Sequence, residues 1–187
     1  MRSRAALAAV VLGVFAVGAA HAEVDPQLCF ACHGPNGNSA NPAVPSLAGQ
    51  PAQFITTQLI MFREKRRTDP LMSPIAAPLT NPEISALGKF FAGQQHAAPA
   101  KKPAENVLAA GRKLAEDYNC VVCHGAALKG QQHIPRLAGQ QVEYLRTQLR
   151  GFMAGTRFDM DGNMTSAAQR LKPADVDLLA EYISGLE

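Results

Sequence analysis

The chain has 187 residues, of which 47% are hydrophobic and 18% are charged, and its formal net charge is +3. This length suffices for one ordinary domain or two small ones. A charge so close to neutrality excludes the strongly basic face that nucleic-acid-binding proteins present. We therefore expect a folded protein with no nucleic-acid partner.

The first 22 residues have the pattern of a secretory leader. Arg2 and Arg4 precede an apolar run from Ala5 to Ala20, and the small-x-small sequence AHA ends at Ala22. This order is typical of a signal peptide that is cleaved after the last alanine. The apolar run is shorter than the ~20 residues that span a bilayer, although an uncleaved anchor remains the alternative. In both cases we expect the folded part to lie in the periplasm.

The remainder of the chain contains the same pattern twice. CFACHG (29–34) corresponds to CVVCHG (120–125), and VPSLAGQ (44–50) corresponds to IPRLAGQ (134–140). Further matches follow in the same order and at nearly constant spacing: QLIMF and QLRGF, Arg67 and Arg157, MSPIAAPL and MTSAAQRL, EISALGKFFAG and DVDLLAEYISG. We infer a tandem duplication. The predicted units are a signal peptide (1–22), a first domain (23–94), a linker (95–104) and a second domain (105–187).

Both copies are predicted to be helical. Phe54, Gln58 and Phe62 recur at helical spacing in the first copy, and the second copy repeats this pattern. A capping box, Thr80-x-x-Glu83, marks the start of the last helix of the first copy. Strand patterns are absent, so the predicted fold class is all-α with two tandem domains. Each domain has a modest core for its size, which a bulky cofactor would help to fill.

The two copies differ in what precedes the Cys-x-x-Cys pair. A helix is predicted over 105–119 in the second copy, whereas only 23–28 stand before the first pair once the leader is removed. We therefore expect the first domain to be less stable and its site to be less protected. The stretch 93–106 is rich in Ala, Pro and Lys, which predicts an exposed linker. Its polar residues are expected to be solvated: His96, Lys101 and Lys102.

The cysteines carry the strongest chemical signal. A redox dithiol needs a βαβ context that the helical pattern lacks, and a zinc site would have to join pairs about 90 residues apart instead of 15–20. Cys-x-x-Cys-His is the attachment signal of haem c: two thioethers hold one porphyrin, and the histidine binds its iron. The sequence therefore predicts two covalently attached haem c groups. Their predicted anchors are Cys29, Cys32 and His33 in the first copy and Cys120, Cys123 and His124 in the second.

A second axial ligand should occupy equivalent places in both copies. Among the candidate methionines and histidines only Met72 and Met164 correspond, so we predict that these two bind iron together with the motif histidines. Met160 is the alternative in the second copy because DMDGNM contains a two-residue insertion, while Met61 and Met153 have no counterparts. A thioether ligand raises the reduction potential relative to a second histidine, and a six-coordinate iron has no position for substrate. This favours electron transfer over catalysis.

Taken together, the motifs resemble those of the class I dihaem cytochromes c, and most closely those of the cytochrome c4 family. The resemblance runs from residue 25 to the C-terminus and rests on CxxCHG, P-x-LAGQ, QL-x-x-F, the following arginine and the methionine before the last helix. It implies two cytochrome c folds packed through a pseudo-twofold interface. It also implies a periplasmic carrier between a quinol-oxidising complex or dehydrogenase and a terminal oxidase, with loose membrane association in some members.

The resemblance further implies roles for residues beside the motifs. Pro45 and Pro135 would accept hydrogen bonds from the Nδ1–H groups of the motif histidines, which fixes their tautomer. Arg67 and Arg157 would face haem propionates, where a guanidinium suits a carboxylate. A solvated arginine is equally compatible with the basic run 63–67, which could also be a docking patch for a partner.

Two other functions are compatible with the same architecture. The chain could be the dihaem cytochrome subunit of a redox enzyme complex, such as a flavocytochrome c sulfide dehydrogenase. It could also be an enzyme itself, either a dihaem peroxidase, which is usually a longer chain, or a thiosulfate-oxidising cytochrome. The latter would need an unusual axial ligand, such as a cysteine outside the haem motifs, and the sequence has none. The prediction is therefore an electron carrier and not an enzyme.

Overall fold

The computed structural model describes residues 24–187, so the predicted signal peptide lies outside the described residues. Within this range the only β-structure is an isolated bridge between Gln131 and Ile134, which confirms the all-α prediction. No helix of the described residues is both long enough and hydrophobic enough to cross a bilayer. The α-helices of residues 24–187 are α1 (Gln27–His33), α2 (Ala52–Arg63), α3 (Met72–Ala76), α4 (Asn81–Ala92), α5 (Glu105–Asp117), α6 (Cys120–His124), α7 (Val142–Met153), α8 (Asn163–Ala168) and α9 (Asp175–Ser184), and a short 3-10 helix covers Pro35–Gly37.

In the first half (residues 24–94), α2 packs against α3 and α4. The predicted capping box is present: the Glu83 carboxylate accepts a 2.7 Å hydrogen bond from the Thr80 amide, and the Thr80 hydroxyl caps the Glu83 amide. Helix α4 then buries Leu87 and Phe91 against α1 and α2 residues of a small aromatic core. Gly88 permits the close crossing of α2 and α4, because a Cβ there would lie 2.8 Å from the carbonyl oxygen of Ala52.

In the second half (residues 105–187), α9 packs against both α5 and α7. Helix α5 confirms the helix predicted over 105–119. It approaches α9 so closely that a Cβ on Gly111 would lie 2.2 Å from the Cβ of Tyr182. The resulting hydrophobic core is larger than that of the first half. Within the described residues, no helix covers α4 as α5 covers α9.

The two halves meet at their LAGQ loops through four reciprocal hydrogen bonds. The side-chain amide of Gln140 bonds the backbone N–H and C=O of Ser46, at 2.8 and 2.9 Å. Its equivalent, Gln50, bonds the backbone N–H and C=O of Arg136, at 3.0 and 2.8 Å. Equivalent residues thus make equivalent contacts in both directions. The interface between the two halves, called the seam below, therefore has an approximate twofold symmetry.

The expectation that His96 of the linker is solvated was wrong. The two linker lysines are exposed, but His96 is inserted between the halves: its Nδ1 donates to the carbonyl oxygen of Ala48 at 3.1 Å, and its Nε2 is buried without a hydrogen-bond partner. The Asn38 side chain bonds the backbone on both sides of this histidine. Burial and the nearby Arg136 guanidinium lower the pKa of His96 below its ordinary value of 6.5. The Ala/Pro-rich composition did not reveal these contacts, because they depend on loops distant in sequence.

Candidate metal centres

Each Cys-x-x-Cys-His motif lies on one short helix that ends at its histidine. Helix α1 ends at His33 and α6 at His124, and the glycine after each histidine has a positive φ, 77° at Gly34 and 82° at Gly125. This conformation strains any residue with a Cβ, so glycine is needed for the chain to leave the helix at this angle. No disulfide links any of the four motif cysteines. The local geometry is therefore the same at both motifs.

Neither Cys29 nor Cys120 has the lowered pKa of a redox-active thiol. Burial raises the pKa of Cys29, and Asp25 and Cys32 raise it further; burial likewise raises the pKa of Cys120. A catalytic dithiol needs the opposite shift, because the thiolate is the reactive form. Nor do three or more Cys, His, Asp or Glu side chains of the described residues come together as a metal site, so the structure does not join the two motifs around zinc.

Both motif histidines are held in one tautomer. His33 Nδ1 lies 2.8 Å from the carbonyl oxygen of Pro45, and His124 Nδ1 lies 2.9 Å from that of Pro135. A carbonyl can only accept, so Nδ1 carries the proton and Nε2 keeps its lone pair. Burial lowers the pKa of both histidines, against the opposing effect of the carbonyls. Each half therefore presents a neutral imidazole with an available Nε2, supported by the carbonyl contact that the resemblance implied.

The structure also distinguishes between the methionines. Met72 begins α3 and donates its amide to Asp69 at 2.9 Å; Met164 lies in the first turn of α8 and donates its amide to Asp159 at 2.9 Å. Both side chains are half-buried, whereas Met160 is 59% exposed. The equivalent aspartate anchors pair Met72 with Met164 despite the two-residue insertion. The methionines without counterparts pack into the hydrophobic cores: Met61 and Met153.

The two equivalent arginines lie in a cluster at the seam, so the interpretation of Arg67 as a solvated residue is wrong. Its guanidinium bonds Tyr144 and Gln148 of the other half, at 3.2 and 3.1 Å. Arg157 also bonds Gln148. Each guanidinium stacks over a phenylalanine of its own half, at 4.5 Å from the ring centroid of Phe62 for Arg67 and 4.6 Å from that of Phe152 for Arg157.

This cluster carries two guanidinium charges, and the Asp159 carboxylate stabilises Arg157 without forming an ion pair with it. Neither arginine forms an ion pair with a described residue, and Arg157 Nε is buried without a hydrogen-bond partner. Burial lowers the pKa of Arg157 to about 10, and although burial acts to raise the pKa of Tyr144, the two arginines outweigh it and lower that pKa. Buried cations are costly without a counter-charge, and porphyrin propionates would supply one. The thiols, imidazoles, thioethers and guanidiniums together fit haem c.

Comparison with known proteins points to the same chemistry. The model of the Cytochrome c family matches residues 108–187. A cytochrome c4 of Thiocapsa roseopersicina is 35% identical over 168 residues, a match that covers 85% of this chain and 87% of the relative. The chain belongs to the cytochrome c4 family. It is accordingly a haem c protein that transfers electrons to and from redox partners, and not an enzyme.

Two further comparisons extend across nearly the whole chain. A thiosulfate dehydrogenase electron acceptor of Thiomonas intermedia is 32% identical, and the match covers 97% of this chain and 90% of that one. The crystal structure of reduced recombinant cytochrome c4 from Pseudomonas stutzeri superposes with a TM-score of 0.78 at 28% identity, covering 86% of this chain and 94% of that chain. The cytochrome c4 fold therefore includes both halves and not only the region matched by the family model.

Sequence reasoning missed three contributors to this region. In the sequence, His96 lies in a stretch of linker composition, Tyr144 belongs to no motif, and the two LAGQ glutamines mark only the duplication. The repetition of Gln50 and Gln140 at equivalent positions was the available signal that these side chains share a role. Nothing in the sequence indicated that each would bond the opposite half.

Proposed function

We propose that the chain binds two haem c groups, one in each half, and acts as a periplasmic electron carrier. The observation that supports this most strongly is the duplicated histidine site: His33 and His124 each present Nε2 from a neutral imidazole beside a Cys-x-x-Cys pair. The arrangement is complete in both halves, which favours two haems over one. We propose the domain limits 23–94 and 105–187 with a linker at 95–104, and a separate hydrophobic core in each half supports this division.

Each group of residues then has a defined task. Four cysteines would anchor the porphyrins through thioethers: Cys29, Cys32, Cys120 and Cys123. His33 and His124 would each bind one iron, and Met72 and Met164 would each supply a second ligand to the iron of their own half. When bound, haem supplies a reversible one-electron Fe(III)/Fe(II) couple. Arg67 and Arg157 would neutralise the propionates, and the methionine ligands would exclude substrate from the iron.

The partners we propose are redox proteins of the same compartment. A quinol-oxidising complex or a dehydrogenase would deliver electrons, and a terminal oxidase would accept them. The predicted leader, residues 1–22, would direct export, and retention of this segment would give loose membrane association. The similarity to a thiosulfate dehydrogenase electron acceptor favours a dehydrogenase as donor.

A second candidate is a stable subunit of a redox enzyme complex, of which a flavocytochrome c sulfide dehydrogenase is one type. The same similarity to the partner of a dehydrogenase supports it. Purification from the native periplasm distinguishes the two functions. A carrier purifies alone, whereas a subunit purifies with a flavoprotein or another catalytic chain in fixed stoichiometry.

The haem count is tested by intact mass and the pyridine haemochrome assay on protein exported to the periplasm. The wild type should carry two haems per chain. The double variants Cys29→Ser/Cys32→Ser and Cys120→Ser/Cys123→Ser are matched controls, and each should carry one haem in the half that was not changed. A wild type with one haem or none would contradict the proposal.

A further inference from the structure

One peptide group connects each motif histidine to the opposite half of the molecule. The carbonyl oxygen of the Pro45–Ser46 peptide accepts from His33 Nδ1 at 2.8 Å. The N–H of the same peptide donates to Oε1 of Gln140, a residue of the second half, at 2.8 Å. The imidazole, the peptide group and the side-chain amide thus form one continuous hydrogen-bonded chain across the seam.

The same chain exists in the reverse direction. The carbonyl oxygen of the Pro135–Arg136 peptide accepts from His124 Nδ1 at 2.9 Å, and its N–H donates to Oε1 of Gln50, in the first half, at 3.0 Å. The two chains use equivalent residues and cross between the halves in opposite senses. A random surface contact would not reproduce this arrangement twice.

The glutamine amides are fixed and shielded. Nε2 of Gln140 donates back to the carbonyl oxygen of Ser46 at 2.9 Å, and Nε2 of Gln50 donates to that of Arg136 at 2.8 Å. These second bonds determine which end of each amide faces the peptide N–H. The exposed fractions of Gln140, Ser46 and Gln50 are only 4%, 4% and 2%. Water therefore has little access to replace the glutamine as acceptor.

We infer that Gln50 and Gln140 are positioning residues, each of which tunes the iron ligand of the opposite half through the shared peptide group. The inference rests on the proposed haem ligation by His33 and His124. A hydrogen bond to a peptide N–H increases the negative charge on its carbonyl oxygen, and hydrogen bonds in such chains strengthen one another by about 10–30%. A stronger carbonyl acceptor makes the imidazole a more basic ligand, which favours ferric iron. Each glutamine thus lowers the reduction potential of the haem in the other half.

The test uses three substitutions of similar size. Gln140→Met removes the bond to the first-half peptide, and Gln50→Met removes the bond to the second-half peptide. Gln141→Met is the matched control: Gln141 donates across the seam to the carbonyl oxygen of Ser39 at 2.6 Å but is hydrogen-bonded to neither peptide. The two potentials are measured by potentiometric titration, with haem methyl NMR resonances assigned to each half. The Nδ1–H proton shifts of the ferrous protein are recorded as a second readout.

We expect a crossed pattern. Gln140→Met should raise the potential of the haem at His33 by about threefold in the redox equilibrium constant, ~30 mV at 59 mV per decade for one electron, and leave the other haem unchanged. Gln50→Met should raise the potential of the haem at His124 by a similar amount and leave the haem at His33 unchanged. Gln141→Met should move neither potential. In Gln140→Met and in Gln50→Met, the Nδ1–H signal of the motif histidine in the opposite half should move upfield, and in Gln141→Met neither signal should move.

Three results would overturn the inference: a shift confined to the haem of the substituted half, equal shifts of both haems, or no shift in a protein that retains both haems. The first two indicate loosened packing instead of a chain through the peptide. If Gln140→Met does not fold, Gln140→Asn gives the same readout with an amide that is one methylene too short. A wild type that lacks two haems would instead contradict the proposed function itself.

Discussion

Replacing Gly111 by alanine should force α5 away from α9. An added Cβ would lie 2.2 Å from the Cβ and 2.4 Å from the Cγ of Tyr182, whereas carbon atoms pack best at about 3.5–4.0 Å. The helices must therefore separate by roughly 1 Å or more. Overpacking of this kind costs ~1–3 kcal/mol, and the gain in helix propensity from Gly to Ala offsets about 0.5–1 kcal/mol. The expected net destabilisation is ~1–2 kcal/mol.

The assay is thermal unfolding of the holoprotein, followed by far-ultraviolet circular dichroism. A change of this size lowers Tm by roughly 2–8 °C for a chain of this length. Gly151→Ala in α7 is the matched control, because its new Cβ would lie 3.3 Å from Arg157 Cβ, which needs to yield by only a few tenths of an ångström, and 3.5 Å from Thr156 Oγ1. We expect the control to be neutral or slightly stabilising. A Gly111→Ala protein as stable as the control would refute the close helix crossing.

Three further predictions test separate parts of the structure. The pKa of His96 is lowered in the folded state, so the unfolded chain takes up the proton first and the free energy of unfolding should fall as the pH drops below 6.5. His96→Asn should reduce the difference between the free energies of unfolding that denaturant titrations give at pH 7 and at pH 5. An unchanged difference would contradict this role of His96. Thr80→Ala removes the α4 cap and should lower the free energy of unfolding by ~1 kcal/mol; an unaltered denaturation midpoint would show that the cap contributes nothing. Met164→Leu should abolish the sulfur-to-iron band of one haem, whereas Met160→Leu should not; the opposite result would reassign the ligand.

The local features of the fold could be read from the sequence. Helix α5, the Thr80–Glu83 capping box and the apolar face of α4 depend on residues within one or two turns, so periodicity and capping rules are sufficient to predict them. The pairing of Met72 with Met164 also came from sequence register. The structural basis of this pairing is an aspartate before each methionine, whose carboxylate accepts a hydrogen bond from the methionine amide. The sequence register alone does not specify these bonds.

The contacts across the seam could not be predicted. His96, Arg67 and Gln140 each bond residues of the opposite half or of a distant loop, 48 to 94 positions away in the chain. Their partners are mostly backbone groups and side-chain amides, which leave no charge or hydrophobic pattern in the sequence. Such contacts follow from how two folded halves pack, and therefore only the structure shows them.

The most direct test of two closed iron centres is a set of absorption spectra of the periplasmically expressed protein in the ferric state, the ferrous state, and the ferrous state with carbon monoxide. Two His/Met sites predict a ferric far-red sulfur-to-iron band with the intensity of two haems and no spectral change with carbon monoxide. A carbon monoxide shift in one or both haems would show an open iron and contradict the assignment of a carrier with both methionines bound.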